Sequence, residues 1–169
     1  MICFEEIVEI YKKIEDNLDN SKLTILTAEV ERANTILKEK DVQHFEVKYV
    51  PLIELDNELS KHKYGFLIRK EHIVNYVATP TKMNSYLSVG LIPIFTDAIA
   101  DFNEKIDLQM YELKINSVLP VKEVVNRILV FEKECLIDVN TYYNVVKKIF
   151  DTYYSDDKNI AHIIEKGTL

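Results

Sequence analysis

The chain has 169 residues, 47% of them hydrophobic and 29% charged, with a formal net charge of -7. That is enough apolar material for one ordinary packed core, and the acidic balance argues against a nucleic-acid partner, which favours a basic face. Three glycines in all leave no room for a G-x-G-x-x-G dinucleotide fingerprint or a Walker A loop.

Taken in chain order, segments of two periods alternate. Residues Phe4 to Leu18 carry Ile7, Tyr11, Ile14 and Leu18 at helical spacing. Lys22 to Thr27 reads as a short buried strand. Thr27 then caps a helix from Ala28 to about Lys40, with Val30, Ala33 and Leu37 inward. His44 to Val50 alternates as a strand does, and Pro51 opens a short helix carrying Leu52, Leu55 and Leu59. Tyr64 to Arg69 is a further strand. Thr79-Pro80 starts a helix that stops before Gly90, and Leu91 to Thr96 is the next strand. A last strand is expected within Asp107 to Leu113. Two long helices follow, the first through Val121, Val124, Val125, Ile128 and Phe131, the second through Val139, Tyr142, Tyr143, Val146, Phe150 and Tyr153. From Ser155 the chain is polar, then weakly helical.

This order predicts an α/β fold, a Rossmann-like three-layer α/β/α arrangement with one mainly parallel sheet and a helical C-terminal part, the whole of residues 1–169 forming a single domain. Ligands of such sheets bind beyond the carboxyl ends of the strands, so the loops after Thr27, Val50, Arg69 and Thr96 are the places to search. Thr79 is a good N-cap, and Pro80 suits a first turn because its missing N–H needs no partner there. The amides of Thr81 and Lys82 then face outward at the positive end of the helix dipole. The Lys82 ammonium, the Thr81 hydroxyl and the forked donors of Arg69 would add to an anion site suited to a phosphate or diphosphate. A solvated lysine on an ordinary capped helix is the competing reading.

Other chemistries find little footing. His44, His62, His72 and His162 show no ligand spacing and no Asp-x-Asp triplet exists, so neither metal nor other cofactor is expected. Asp156-Asp157 reads as a solvated turn. No G-x-S-x-G elbow marks a serine hydrolase. Cys3 and Cys135 read as two buried reduced thiols, which suits a cytoplasmic setting. His72 reads as a loop histidine near the crevice, with sugar contact as its sharper alternative. The tyrosines at 142, 143, 153 and 154 read as packing. No signal peptide is visible, and no stretch reaches the ~18 apolar residues of a membrane span.

Gly65-Phe66-Leu67-Ile68-Arg69, Val74-Asn75, Val77-Ala78-Thr79-Pro80-Thr81-Lys82-Met83 and Tyr86-Leu87-Ser88-Val89-Gly90-Leu91-Ile92-Pro93-Ile94 occur in this order. The pattern resembles the C-terminal domain of GT-B glycosyltransferases, especially the GT4-like bacterial enzymes of capsule and lipopolysaccharide synthesis. The resemblance implies a domain that binds a nucleotide sugar and faces an acceptor-binding domain. It places Thr81 and Lys82 at the donor's phosphates or sugar, Arg69 and Asn75 around the same pocket, Ser85 and Tyr86 on the helix beneath it, and the loop after Tyr49-Val50 near the base. The family pattern has a glutamate where Ser85 stands, and Val77 takes the earlier place of its paired acids. A serine can bond a ribose hydroxyl without the charge-assisted strength of a carboxylate. The first family strand is missing or reduced to Ile2-Cys3-Phe4, and no acceptor domain fits in 169 residues. The isolated chain is therefore expected to be incomplete as an enzyme, with an acceptor-domain polypeptide as partner. Two alternatives remain open: a degenerate scaffolding subunit that docks to such a domain, and a flavodoxin-like regulatory domain.

Overall fold

The computed structural model describes residues 4–70, 72 and 81–157. It is a Rossmann-like α/β fold whose strands all run in parallel ladders, followed by a helical C-terminal part. Helix α1 (Phe4–Glu15) leads to β1 (Leu23–Leu26), α2 (Val30–Glu39) and β2 (Phe45–Lys48). A 3-10 turn (Leu52–Glu54), α3 (Leu55–Leu59) and β3 (Tyr64–Leu67) follow. Then come α4 (Thr81–Ser88), β4 (Ile92–Thr96), α5 (Ala100–Lys105), a 3-10 turn (Gln109–Tyr111) and β5 (Leu113–Ile115), before α6 (Val121–Glu134) and α7 (Val139–Thr152).

Local chemistry sets most boundaries. Thr27 does not cap α2: the helix starts at Val30 rather than Ala28, Glu29 holds the N-cap position without a side-chain cap bond, and the Thr27 hydroxyl accepts from the Glu29 N–H at 3.1 Å in the turn before it. Asp138 caps α7 by accepting from the Thr141 N–H at 2.8 Å. Helix α4 closes with Gly90 at φ 82, a left-handed turn that glycine alone takes without strain. Pro93 is tolerated within buried β4. There the Asp97 N–H donates to Ile115, so odd residues face β5, and β5 begins only opposite Ile94, past the place where Pro93 would have donated.

Several expectations need correction. The single sheet is divided: β1 pairs only with β2, while β3, β4 and β5 form a second sheet in that order. The last strand is Leu113–Ile115 rather than Asp107 to Leu113, because Gln109 takes φ 54 and tightens the chain into a 3-10 turn. Leu108 and Tyr111, three apart, are both buried as anchors of that turn, a spacing that suits a 3-10 turn and not a strand. Helix α1 also stops at Glu15, three residues short of Leu18.

Helix α1 joins the two sheets. Its Ile7, Ile10 and Ile14 pack with Ile68, Ile94, Leu113 and the α6 residues Val124, Val125 and Ile128. Its Val8 and Tyr11 pack instead with Leu23, Leu37 and Val42. A third cluster centres on Leu67, Met83, Leu87, Phe95 and Phe102, closed by α7 through Tyr142, Val145 and Ile149. Tyr142 is buried and donates to the Leu91 carbonyl at 2.6 Å, so its polar tip is satisfied in the core. Tyr143 is exposed, Tyr153 meets Tyr154 edge-to-face, and Tyr154 also packs on Phe150. Cys135 is a free, half-buried thiol rather than a buried one, and burial pushes its titration up.

Two carboxylates tie the β1–β2 unit. Glu15 accepts from the N–H groups of Gln43 at 3.1 Å and His44 at 2.5 Å. Burial alone would raise its titration, but these amides hold it below the ordinary value. Glu58, 7% exposed, is wrapped at the surface by Lys48 at 2.6 Å, Lys61 at 2.8 Å and His62 at 3.4 Å. Lys48 first, and Lys61 with it, hold the Glu58 carboxyl down at about 2. A carboxylate depressed in the folded state stabilises above its unfolded value and loses that contribution as pH falls through the folded one. The Glu58 contribution is therefore expected to be complete at neutral pH and to fade from pH 4.5 towards about 2. Urea unfolding at pH 7 and pH 3 measures this. Glu58→Gln should flatten the difference, and an unchanged difference would remove Glu58 from the account.

Candidate functional site

The site predicted from sequence lies at the carboxyl end of β3. Beyond Leu67 the chain passes through buried Ile68 to Arg69, where the second sheet clamps it. The buried Thr96 hydroxyl accepts from the Arg69 N–H at 3.0 Å and donates to the Arg69 carbonyl at 2.8 Å. Both lone partners of one residue are thus met by one side chain at the end of the neighbouring strand, which fixes where the Arg69 side chain leaves the backbone. Thr96 was legible only as the end of a strand, and nothing local marks it as a clamp.

Helix α4 spans Thr81–Ser88 among the described residues. Thr81 and Lys82 are exposed at this end, while Met83 and Leu87 anchor the opposite face in the core. The Lys82 ammonium lies back against the cleft wall. Withdrawal from water, and then the neighbouring Arg69 cation, push its titration below the ordinary lysine value.

Lys82, Ser85 and Tyr86 line a cleft of ≈ 1540 Å³ between the two sheets. The other cationic side chains of its lining are engaged: Lys22 by Glu46 at 2.7 Å, Arg32 by Glu29 at 2.9 Å, Lys48 and Lys61 by Glu58, and Lys63 by Glu132 at 2.7 Å. Lys82 has no carboxylate partner among the described residues, and the Arg69 cation is close enough to act on its charge. Like charges held together disfavour the protonated form of each, and an anion placed between them reverses that cost.

Ser85 is half-buried and its hydroxyl faces the Thr81 carbonyl at 3.4 Å. Tyr86 closes the wall. Its hydroxyl donates to the Phe66 carbonyl at 3.1 Å, and a Cβ added at Gly65 would meet its ring at 2.6 Å. Gly65 is therefore needed for space, a role that the sequence motif does not by itself reveal.

The remaining sequence-predicted residues are scattered. Tyr49 is 63% exposed on the loop after β2, beside Leu52 and Ile53, and does not line the cleft. His72 is exposed. Asn75, with Val74, Val77 and Thr79-Pro80, lies outside the described residues. Among the described residues no group of three His, Cys, Asp or Glu is arranged to hold a metal ion, and no helix is long and apolar enough to cross a membrane. Sequence reasoning missed Glu58 and Glu132. Only the spacing Glu58, Lys61, His62 on and just after α3 hinted at the first.

Comparison with protein-family models, with curated proteins and with solved structures found no match.

Proposed function

We propose that this chain is the nucleotide-sugar-binding domain of a GT-B type glycosyltransferase of bacterial surface-polysaccharide synthesis, acting in the cytoplasm with an acceptor-domain polypeptide. The observation that carries the reading is Lys82. It is a cleft-lining cation without a carboxylate partner among the described residues, it stands in the first described turn of a helix, and the Arg69 cation acts on its charge. A diphosphate there would meet two cationic side chains, backbone amides and the positive end of a helix dipole. In a complete enzyme the same groups would stabilise charge that develops on the departing diphosphate. Ser85 and the crevice beyond it would hold the ribose.

Isothermal titration of the folded chain with UDP, GDP, UDP-glucose and GDP-mannose tests this. Binding of a diphosphate nucleotide in preference to the parent nucleoside is the expected result. A chain that retains its circular dichroism and binds none of them at millimolar concentration ends the reading.

A second reading, an interaction subunit that docks to an acceptor domain without holding a donor, draws on Ser85, whose hydroxyl turns back to its own helix at Thr81. Ser85→Glu separates the two. Tighter nucleotide binding by that variant supports a donor pocket, and co-purification with an acceptor domain without any nucleotide affinity supports docking.

A further inference from the structure

The cleft is larger than a small ligand needs, since such sites run to ~300–1,000 Å³. Its walls explain the surplus. It is lined by the whole of β1, from Leu23 to Leu26, and by Tyr64, Gly65 and Phe66 of β3. These are the edge strands of the two sheets, and no ladder joins them.

The register states which backbone groups face the cleft. Leu23 donates to His44 at 3.0 Å and Thr27 to Lys48 at 3.1 Å, so the odd residues of β1 are spent on β2. Thr24 and Leu26 therefore turn their N–H and C=O groups the other way. Ile92 donates to Lys63 at 3.0 Å, so Lys63, Gly65 and Leu67 serve β4, and Tyr64 and Phe66 turn away from it. The Phe66 carbonyl confirms the geometry, because a side chain, Tyr86, rather than a strand donates to it.

Apolar side chains stand on the walls of this gap, Ile7 and Tyr11 of α1, Ile36 of α2, and Ile94 and Ile128, beside the charged pairs described above. Ile25 and Phe66 stay half-buried although helices pack on both sheets, whereas every residue of β4 is buried. A gap bordered by two strand edges and roofed by apolar helices has the requirements of a central parallel strand.

We propose that the cleft is a strand-acceptor slot, which takes one extended, apolar segment of a partner polypeptide and joins β1–β2 to β3–β4–β5 as one six-stranded sheet. The described chain forms five strands and all of them are already committed. The end of the described chain runs elsewhere: nothing from 139–157 lines the cleft, and Tyr153 bonds to Asp101 of α5 on the far cluster. Phe4 does line it, and because the end of α1 bonds through Glu15 to Gln43 and His44 just before β2, the start of α1 stands at the carboxyl end of the strands, where a partner strand parallel to β1 would leave the slot. The side chains it offers are β-branched and apolar on both faces, with charge only at its ends.

The test is hydrogen exchange on the full chain, with the peptide acetyl-Lys-Val-Ile-Val-Thr-Val-Lys-amide as probe. In the chain alone, the amides of Thr24, Leu26, Tyr64 and Phe66 should exchange faster than those of Ile25 and Leu67. The peptide should slow these four by at least about tenfold, and the same peptide N-methylated at alternate residues should not. Thr24→Pro removes a slot-facing donor while leaving the β1–β2 ladder intact, and should weaken the peptide at least about tenfold. Tyr86→Phe releases the Phe66 carbonyl and should strengthen it. Protection of the four amides in the chain alone, meaning that the chain's own residues fill the slot, would overturn the proposal. So would equal binding of the N-methylated peptide, or no binding at millimolar concentration.

Discussion

Phe102→Ala is expected to cost the fold about 3–5 kcal/mol, a large share of the ~5–15 kcal/mol that holds a domain of this size together. Phe102 is 0% exposed and meets Phe95 edge-to-face, with ring centroids 6.4 Å apart at 83°. Its cluster joins β3, α4, β4, α5 and α7, so a cavity there would touch the elements that carry both Arg69 and Lys82. Three of those elements are strands or helices whose own buried residues, Leu67, Met83 and Phe95, have no exposure through which to relax inward from solvent. Urea unfolding followed by circular dichroism measures the loss. Val130→Ala, on an exposed position of α6, is the control and should change stability by no more than ~0.5 kcal/mol. A similar small effect at Phe102 would show that the cluster does not pack as described.

Lys82→Ala is expected to weaken a nucleoside diphosphate by about ten- to a hundredfold, the worth of a hydrogen bond to a charged group. Lys82→Arg should keep most of the affinity, because charge and donors persist. The folded stability of Lys82→Ala should be unchanged or slightly raised, since the substitution relieves the Lys82–Arg69 repulsion. That opposite movement of stability and affinity distinguishes a binding lysine from a structural one. The pH dependence has a fixed sign as well. The ammonium binds the anion and its titration is lowered in the free chain, so affinity should fall as pH rises and should begin to fall below the pH at which an ordinary lysine deprotonates. Titration calorimetry at pH 7, 8 and 9 reads this directly. An affinity for diphosphate that is equal in Lys82→Ala and the parent chain would remove Lys82 from the site.

Periodicity carried most of the fold. The helices at Ile7–Ile14, Val124–Ile128 and Tyr142–Ile149 are where their apolar spacing puts them, whereas α2 starts at Val30, too late for Thr27 to cap it. These are local properties, set by residues within a turn or two of each other. The segment around Gln109 is a 3-10 turn whose buried anchors, Leu108 and Tyr111, stand three apart on either side of a backbone that turns at φ 54, and the strand starts only at Leu113. The candidate site was legible in part. The helix start at Thr81 and Lys82 follows from composition, but the state of the Lys82 charge does not.

What the sequence by itself determined is the succession of helices and strands, because side-chain period acts over a few residues. The tertiary structure alone decided that the sheet divides between β1 and β3, that Thr96 clamps Arg69, that Tyr86 occupies the space left by Gly65, and that the other cations of the cleft are neutralised while Lys82 is left beside a second cation. Each of these joins residues far apart in the chain, and such pairings depend on how the elements pack rather than on what any one element contains.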